Sequence, residues 1–168
     1  MTLKEGDKLP MDTTFQTLVD GKPTDMGASE LFAGKKVVIC GVPGAFTPTC
    51  NDGHLPSFIN NVDAFKAGYG HFSGKGVDTV ACVAVNDAFV MGSWIKSLDA
   101  ADKVTMLSDG GGAFARATGL AVDTGNFGGV RLNRMSMVVD DGVVTKLNLE
   151  EKTNFSDISS GETVLGQL

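Results

Sequence analysis

Apolar residues come in two rhythms along this chain. Val37-Val38-Ile39-Cys40 and Thr79-Val80-Ala81-Cys82-Val83-Ala84-Val85 are short continuous runs of β-branched and small apolar residues, the pattern of a strand buried on both faces. Between them Leu55, Phe58, Ile59, Val62 and Phe65 recur at helical spacing, which predicts one helix beginning near Cys50. Phe89, Val90 and Trp94 open a second helical pattern. Val104-Thr105-Met106-Leu107 predicts a third strand, Asp109-Gly110-Gly111-Gly112 a turn, and Ala113-Phe114-Ala115-Arg116-Ala117 a short helix. The order then changes. Met135-Ser136-Met137-Val138-Val139 and Val143-Val144-Thr145-Lys146-Leu147 flank Asp140-Asp141-Gly142, a hairpin signal, and residues 159–168 read as a closing helix. Upstream, Thr14-Phe15-Gln16-Thr17-Leu18-Val19 alternates and breaks at Asp20-Gly21-Lys22-Pro23, a second hairpin, followed by a helical turn at Ser29-Glu30-Leu31-Phe32. The glycine patches Gly68-Tyr69-Gly70-His71 and Gly125-Asn126-Phe127-Gly128-Gly129 read as surface loops.

A β-α-β half with parallel strands, followed by a hairpin and a final helix, predicts an α/β protein: a mixed central sheet flanked by helices, preceded by the N-terminal hairpin. That is the outline of a thioredoxin-like fold. With 168 residues and 42% hydrophobic content, one domain over residues 1–168 is expected. Lys plus Arg total 14 against 20 Asp plus Glu, scattered along the chain, which disfavours nucleic acid as a partner. No apolar stretch approaches the ~20 residues that span a bilayer, and Met1-Thr2-Leu3-Lys4-Glu5-Gly6-Asp7 lacks the apolar core of a secretory signal. No membrane association is expected. The expected place is the cytoplasm, or an organelle if a transit peptide has been removed.

Three cysteines at irregular spacing do not make a disulfide framework, and two histidines exclude a three-histidine metal centre. A reducing compartment is expected, with no metal and no cofactor. One cysteine stands apart. Pro43-Gly44-Ala45-Phe46-Thr47-Pro48-Thr49-Cys50 runs from the end of a buried strand into a helical pattern, so Cys50 falls in a first helical turn, where unpaired N–H groups and the helix dipole favour an anion. Thr47, three residues earlier, can aim a hydroxyl at the same sulfur.

What such a thiolate attacks depends on its neighbours. A cysteine hydrolase requires a histidine base. His54 lies one turn after Cys50 on the same helix, poorly placed for that task and readily explained by helix packing, and His71 sits in a glycine-rich loop. Displacement on a peroxide oxygen needs no such base. It needs a hydroxyl and a fixed cation to stabilise charge on both oxygens, a role suited to arginine. Arg131, Arg134 and Arg116 are the candidates, and spacing does not choose among them. Trp94, Phe46 and Phe89 fit a core or an interface equally.

The segment from Pro43 to Cys50 resembles the PxxxTxxC signature of the peroxiredoxins. The likeness runs nearly end to end, with further matches at His54-Leu55-Pro56, Val85-Asn86-Asp87-Ala88-Phe89-Val90, Trp94 and Arg131-Leu132-Asn133-Arg134-Met135-Ser136-Met137-Val138-Val139. These resemble the type II, peroxiredoxin-five-like branch. The resemblance implies a thiol peroxidase acting on hydrogen peroxide and alkyl hydroperoxides through a sulfenic acid. In it Cys50 is the peroxidatic cysteine, Thr47 its hydroxyl partner, Pro43 the shield of the thiolate and Arg134 the peroxide-binding cation. Gly44 supplies backbone N–H, and Phe127 helps form the apolar rim.

By the same resemblance the reductant is glutathione with glutaredoxin, or thioredoxin, and the protein is a homodimer joined through loops around the site. In one group of relatives the resolving cysteine lies near the C-terminus. Here no cysteine follows Cys82, and Ile158 falls at the corresponding place. The plant-like group instead places it near the position of Cys82, or reduces the sulfenate directly with an external thiol; by that resemblance Cys82 is the possible resolving residue, although its apolar strand argues for core, as it does for Cys40 alternating with Val38. The competing function on the same fold is a non-enzymatic peroxide sensor or redox-regulated holdase.

Overall fold

The computed structural model describes residues 1–67, 76–151, 153–155 and 157–168; the glycine patch at 68–71, with His71, lies outside the described residues. Strands β1 (Thr14–Val19) and β2 (Lys22–Gly27) form the N-terminal hairpin and lead into helix α1 (Ala28–Phe32). Strand β3 (Lys36–Gly41) is followed by helices α2 (Leu55–Ile59) and α3 (Val62–Ala67), then β4 (Thr79–Ala84), α4 (Ala88–Ser97), β5 (Thr105–Ser108) and α5 (Ala113–Ala117). Short strands β6 (Ala121–Asp123) and β7 (Val130–Leu132) pair with each other, and β8 (Met135–Asp140), β9 (Val143–Leu149) and α6 (Gly161–Leu165) close the chain.

The main sheet has seven strands in the order β2-β1-β5-β4-β3-β8-β9. Its centre, β3 with β4 and β4 with β5, is parallel, and the outer pairings are antiparallel. The apolar runs therefore sit in the middle, where both faces are covered. Alternation along a strand sorts their side chains into two layers. Val38, Cys40, Val80 and Cys82 pack with Leu55, Phe58 and Trp94 on one face, while Val37, Ile39, Ala81 and Val83 pack with Phe15, Phe32 and Phe114 on the other.

Three expectations need correction. The single helix predicted to begin near Cys50 and run through Phe65 is three pieces. Residues Cys50–His54 form a π-helical turn, closed by the Leu55 N–H donating to the Cys50 carbonyl, and α2 ends at Asn60. There the Asn61 side chain donates to the Ser57 carbonyl (2.7 Å), a local bond that competes with the helix ladder before α3 begins. The patch around Gly125 is a loop with one short turn, but it is bracketed by β6 and β7, which at three residues each carry too little periodicity to read.

The closing helix is also shorter than residues 159–168. It starts at Gly161, whose N–H donates to the Ser57 hydroxyl (2.8 Å) and where a Cβ would overlap the Ser57 carbonyl. Before α6, residues 150–151, 153–155 and 157–160 form a strap beside the start of β8, where the Glu150 N–H donates to the Arg134 carbonyl and Arg134 donates to the Thr153 carbonyl.

Candidate active site

The loop after β3 is built to hold one residue still. Val42 extends the strand by donating to the Val83 carbonyl (3.1 Å), and the Ala45 N–H donates to the Asn86 side chain (3.0 Å). Phe46 turns the chain with a left-handed φ of 63°, unusual outside glycine. The Thr47 hydroxyl donates to the Gly44 carbonyl (2.9 Å), and the Asn51 N–H reaches back to the Thr47 carbonyl (2.8 Å) as the helical turn begins. A Cβ on Gly44 would stand 3.2 Å from the Thr47 methyl, so this turn is packed as tightly as glycine permits. From the far side, Trp94 Nε1 donates to the Asn51 side chain (2.9 Å). Trp94 is therefore core, with its polar edge fastening the turn that carries Cys50.

Cys50 is buried, and its Sγ accepts a hydrogen bond from Arg134 Nη2 at 3.3 Å. Arg134, between β7 and β8, is itself 2% exposed. Its three guanidinium nitrogens go to three different acceptors: Nη2 to the sulfur, Nη1 to His54 Nδ1 (3.1 Å) and Nε to the Thr153 carbonyl (3.0 Å). The Phe155 ring lies 5.8 Å from its Cζ, a cation–π contact. A planar fork held at each nitrogen has one orientation left, and it faces the sulfur.

His54 fixes that fork from below. An Nδ1 that accepts from Arg134 carries no proton, so the ring is the neutral tautomer with Nε2–H, which donates to the Ser159 carbonyl (2.9 Å). Ser159 is held in turn by its N–H and hydroxyl, both donating to one Glu150 carboxylate oxygen (3.0 and 2.8 Å). Glu150 closes the circuit by donating its own N–H to the Arg134 carbonyl (3.1 Å).

Burial is the main force on the His54 pKa, and it lowers the value from 6.5 to about 4; the Arg134 charge acts the same way, while the Ser159 bond and Glu150 oppose. The folded value is thus depressed. The unfolded chain takes up a proton below pH 6.5 that the folded chain refuses until about pH 4, so His54 lowers stability as pH falls through that window. The full cost is about 3 kcal/mol. In urea titrations between pH 7.5 and 4, wild type is expected to lose stability more steeply than His54→Gln. Equal slopes would mean that His54 is not held neutral.

Above the guanidinium lies a pocket of about 480 Å³, lined by Pro43, Thr47, Thr49, Val122, Phe127 and Arg134 among others. Phe127 is 68% exposed and stands at its rim. The fold thus brings Pro43, Gly44, Thr47, Cys50, Phe127 and Arg134 together. The other two arginines are committed to carbonyls: Arg131, beside Gly44, ties those of Gly128 and Val85 (2.9 and 3.1 Å), and Arg116 donates to that of Gly111. Cys82 is inside the sheet, opposite Cys40. Spacing had offered His54 only as a neighbour of Cys50 on the same helix face. The parts played by Thr153, Phe155, Glu150 and Ser159 left no sequence signal, since they depend on how the strap folds back. Among the described residues no cluster of His, Cys, Asp or Glu is placed to hold a metal ion, and no helix is long and apolar enough to cross a membrane.

A buried thiol under a fixed guanidinium, at a helical turn following the central strand of such a sheet, defines a thioredoxin-fold enzyme with thiol chemistry. Known proteins narrow this. The family model described as Redoxin matches residues 4–165. Peroxiredoxin-2E-2, chloroplastic, of Oryza sativa subsp. japonica is 47% identical over 166 residues, covering 96% of this chain and 71% of the relative. Peroxiredoxin-2E, chloroplastic, of Arabidopsis thaliana is 42% identical over 172 residues, 99% of this chain and 70% of the relative. The crystal structure of reduced Prx3 in complex with H2O2 from Vibrio vulnificus superposes with a TM-score of 0.89 at 44% identity, over 99% of each chain. The chain belongs to the redoxin family and, within it, is a peroxiredoxin, a thiol-dependent peroxidase.

Proposed function

We propose that Cys50 is the attacking thiol and that its substrates are hydrogen peroxide and alkyl hydroperoxides. The observation that carries this reading is the 3.3 Å hydrogen bond to the Cys50 sulfur from Arg134, which lines the pocket. The thiolate attacks one peroxide oxygen, the O–O bond breaks, that oxygen stays on sulfur as a sulfenic acid, and the other leaves as water or alcohol after taking a proton. Arg134 donates to the sulfur before the attack and to the oxygens during it, where developing charge is most strongly stabilised. Thr47 anchors its hydroxyl proton on Gly44 and presents lone pairs to a protonated peroxide oxygen. Pro43 and Phe127 give the pocket apolar walls, which suits an alkyl group as well as a bare peroxide. The peroxide-bound Prx3 supports the substrate class.

An external thiol then supplies the electrons that complete the cycle: glutathione with glutaredoxin, or thioredoxin. Supplying each reductant separately with excess peroxide is expected to give many turnovers per chain with one of them. Consumption of a single equivalent with either would make the protein a sensor instead. The chain works in a reducing compartment, cytoplasmic or organellar, and the chloroplastic and mitochondrial relatives favour an organelle. Phe46, in the loop before Cys50, and Phe89, in the first turn of α4, are 49% and 57% exposed and form the contact of a homodimer. Sedimentation at micromolar concentration is expected to show a dimer in wild type and a monomer in Phe89→Glu; a monomeric wild type removes this contact.

A further inference from the structure

Two thiols stand outside the Cys50–Arg134 arrangement, and both are fully buried: Cys40 on β3 and Cys82 on β4. The parallel register sets them directly opposite one another. Neighbouring strands lie about 4.8 Å apart, inside the roughly 4.4–6.8 Å Cα separation that a disulfide spans. Both side chains enter the core layer that also contains Cys50.

The order of strands decides which thiol is nearer the site. On its other side Cys40 pairs with Ser136, two residues beyond Arg134 on β8. Moving inward from the arginine that holds the Cys50 sulfur, the chain crosses β8, then Cys40 on β3, then Cys82 on β4. The electrostatics agree with that placement. Burial raises the Cys40 pKa well above the ordinary range, a hydrogen bond with Cys82 and negative charge at Cys82 and Cys50 push the same way, and the Arg134 cation opposes them.

We propose that Cys40 resolves the Cys50 sulfenic acid and that Cys82 then draws the disulfide onto the Cys40–Cys82 pair, releasing Cys50. This deepens the peroxidase reading and rests on it. In the first step the Cys40 sulfur attacks the Cys50 sulfur, the S–O bond breaks, and the hydroxyl leaves as water with the Cys40 proton. The two sulfurs meet by movement of the π-helical turn carrying Cys50, because β3 is hydrogen-bonded on both sides. In the second step Cys82 attacks the Cys40 sulfur, the Cys40–Cys50 bond breaks, and the Cys82 proton passes to the departing Cys50 sulfur.

The direction of that exchange follows from the leaving groups. Cys50 departs into the Arg134 hydrogen bond, whereas a thiolate at Cys40 is disfavoured by its surroundings, and the better-stabilised thiolate leaves faster. The two electrons given to the peroxide thus come from the Cys40–Cys82 dithiol. The core stores one oxidising equivalent while Cys50 is reset for another peroxide.

The test is to treat the fully reduced chain with one equivalent of hydrogen peroxide, quench in acid, alkylate free thiols and map the peptides by mass spectrometry. The expected wild-type product is a Cys40–Cys82 disulfide with alkylated Cys50. Cys82→Ala is expected to stop at a Cys40–Cys50 disulfide, and Cys40→Ala to keep a Cys50 sulfenic acid that dimedone traps. Cys50→Ser is expected to form no disulfide, since neither other thiol accepts from Arg134, the residue that lines the pocket. A wild-type Cys50–Cys82 disulfide with alkylated Cys40, or a persistent sulfenic acid with both core thiols alkylated, overturns the inference while leaving the peroxidase reading intact. A Cys40→Ala chain that consumes no peroxide and gives no dimedone adduct overturns both.

Discussion

Cys50→Ser is expected to lower kcat/KM for hydrogen peroxide by roughly 10⁴-fold or more, to the background of the reductant alone. The reason is chemical rather than structural. A serine hydroxyl stays protonated without a strong base, and the histidine nearest the site is committed to Arg134 and Ser159 through its two nitrogens. The substitution should leave the fold in place, because the oxygen can accept from Arg134 Nη2 where sulfur did. Steady-state peroxide consumption with an otherwise complete assay, beside a melting curve, separates the two effects. A folded variant that keeps a tenth of wild-type turnover would remove Cys50 from the mechanism.

The second large effect belongs to Arg134→Lys, for which a 10²–10³-fold loss in kcat/KM is expected, about 3–4 kcal/mol of transition-state stabilisation. The change keeps the charge, so it tests geometry. Arg134 satisfies the Cys50 sulfur, His54 Nδ1 and the Thr153 carbonyl from three nitrogens in one plane. A single ammonium cannot reach all three, and any acceptor left without its donor is buried at a cost of about 1–3 kcal/mol. A fall in stability should therefore accompany the fall in rate. If Arg134→Lys retains kcat/KM within threefold of wild type, the aimed fork is not what accelerates the reaction, and point charge alone suffices.

Both variants concern residues that were visible in the sequence to different degrees. Cys50 and Thr47 stand out because strand, turn and helix start follow one another within a dozen residues, and local chemistry places a thiol where an anion is favoured. The hairpins at Asp20-Gly21 and Asp140-Asp141-Gly142 were equally plain, since turn chemistry acts over two or three residues. Arg134 could be chosen over Arg131 and Arg116 only through a resemblance. The choice rests on a contact between residues 84 positions apart, which no local pattern encodes.

Some misreadings have the same origin. The apolar spacing from Leu55 to Phe65 is truly helical in period, yet hydrogen bonds decide continuity, and the π-helical turn at Cys50–His54 and the Asn61 side chain break it. His54 was expected to be packing, and it is packed, but its burial is what keeps it neutral and able to accept from Arg134.

By itself the sequence determined the class of fold, the central strands, the turns and the candidate thiol, because these follow from periodicity and from the conformational limits of neighbouring residues. Tertiary structure alone decided where that thiol points and what surrounds it. The guanidinium fork, the neutral histidine, the Glu150–Ser159 support and the opposition of Cys40 to Cys82 arise when strands and strap from distant parts of the chain come together, and buried polar groups must then find partners wherever the fold has put them.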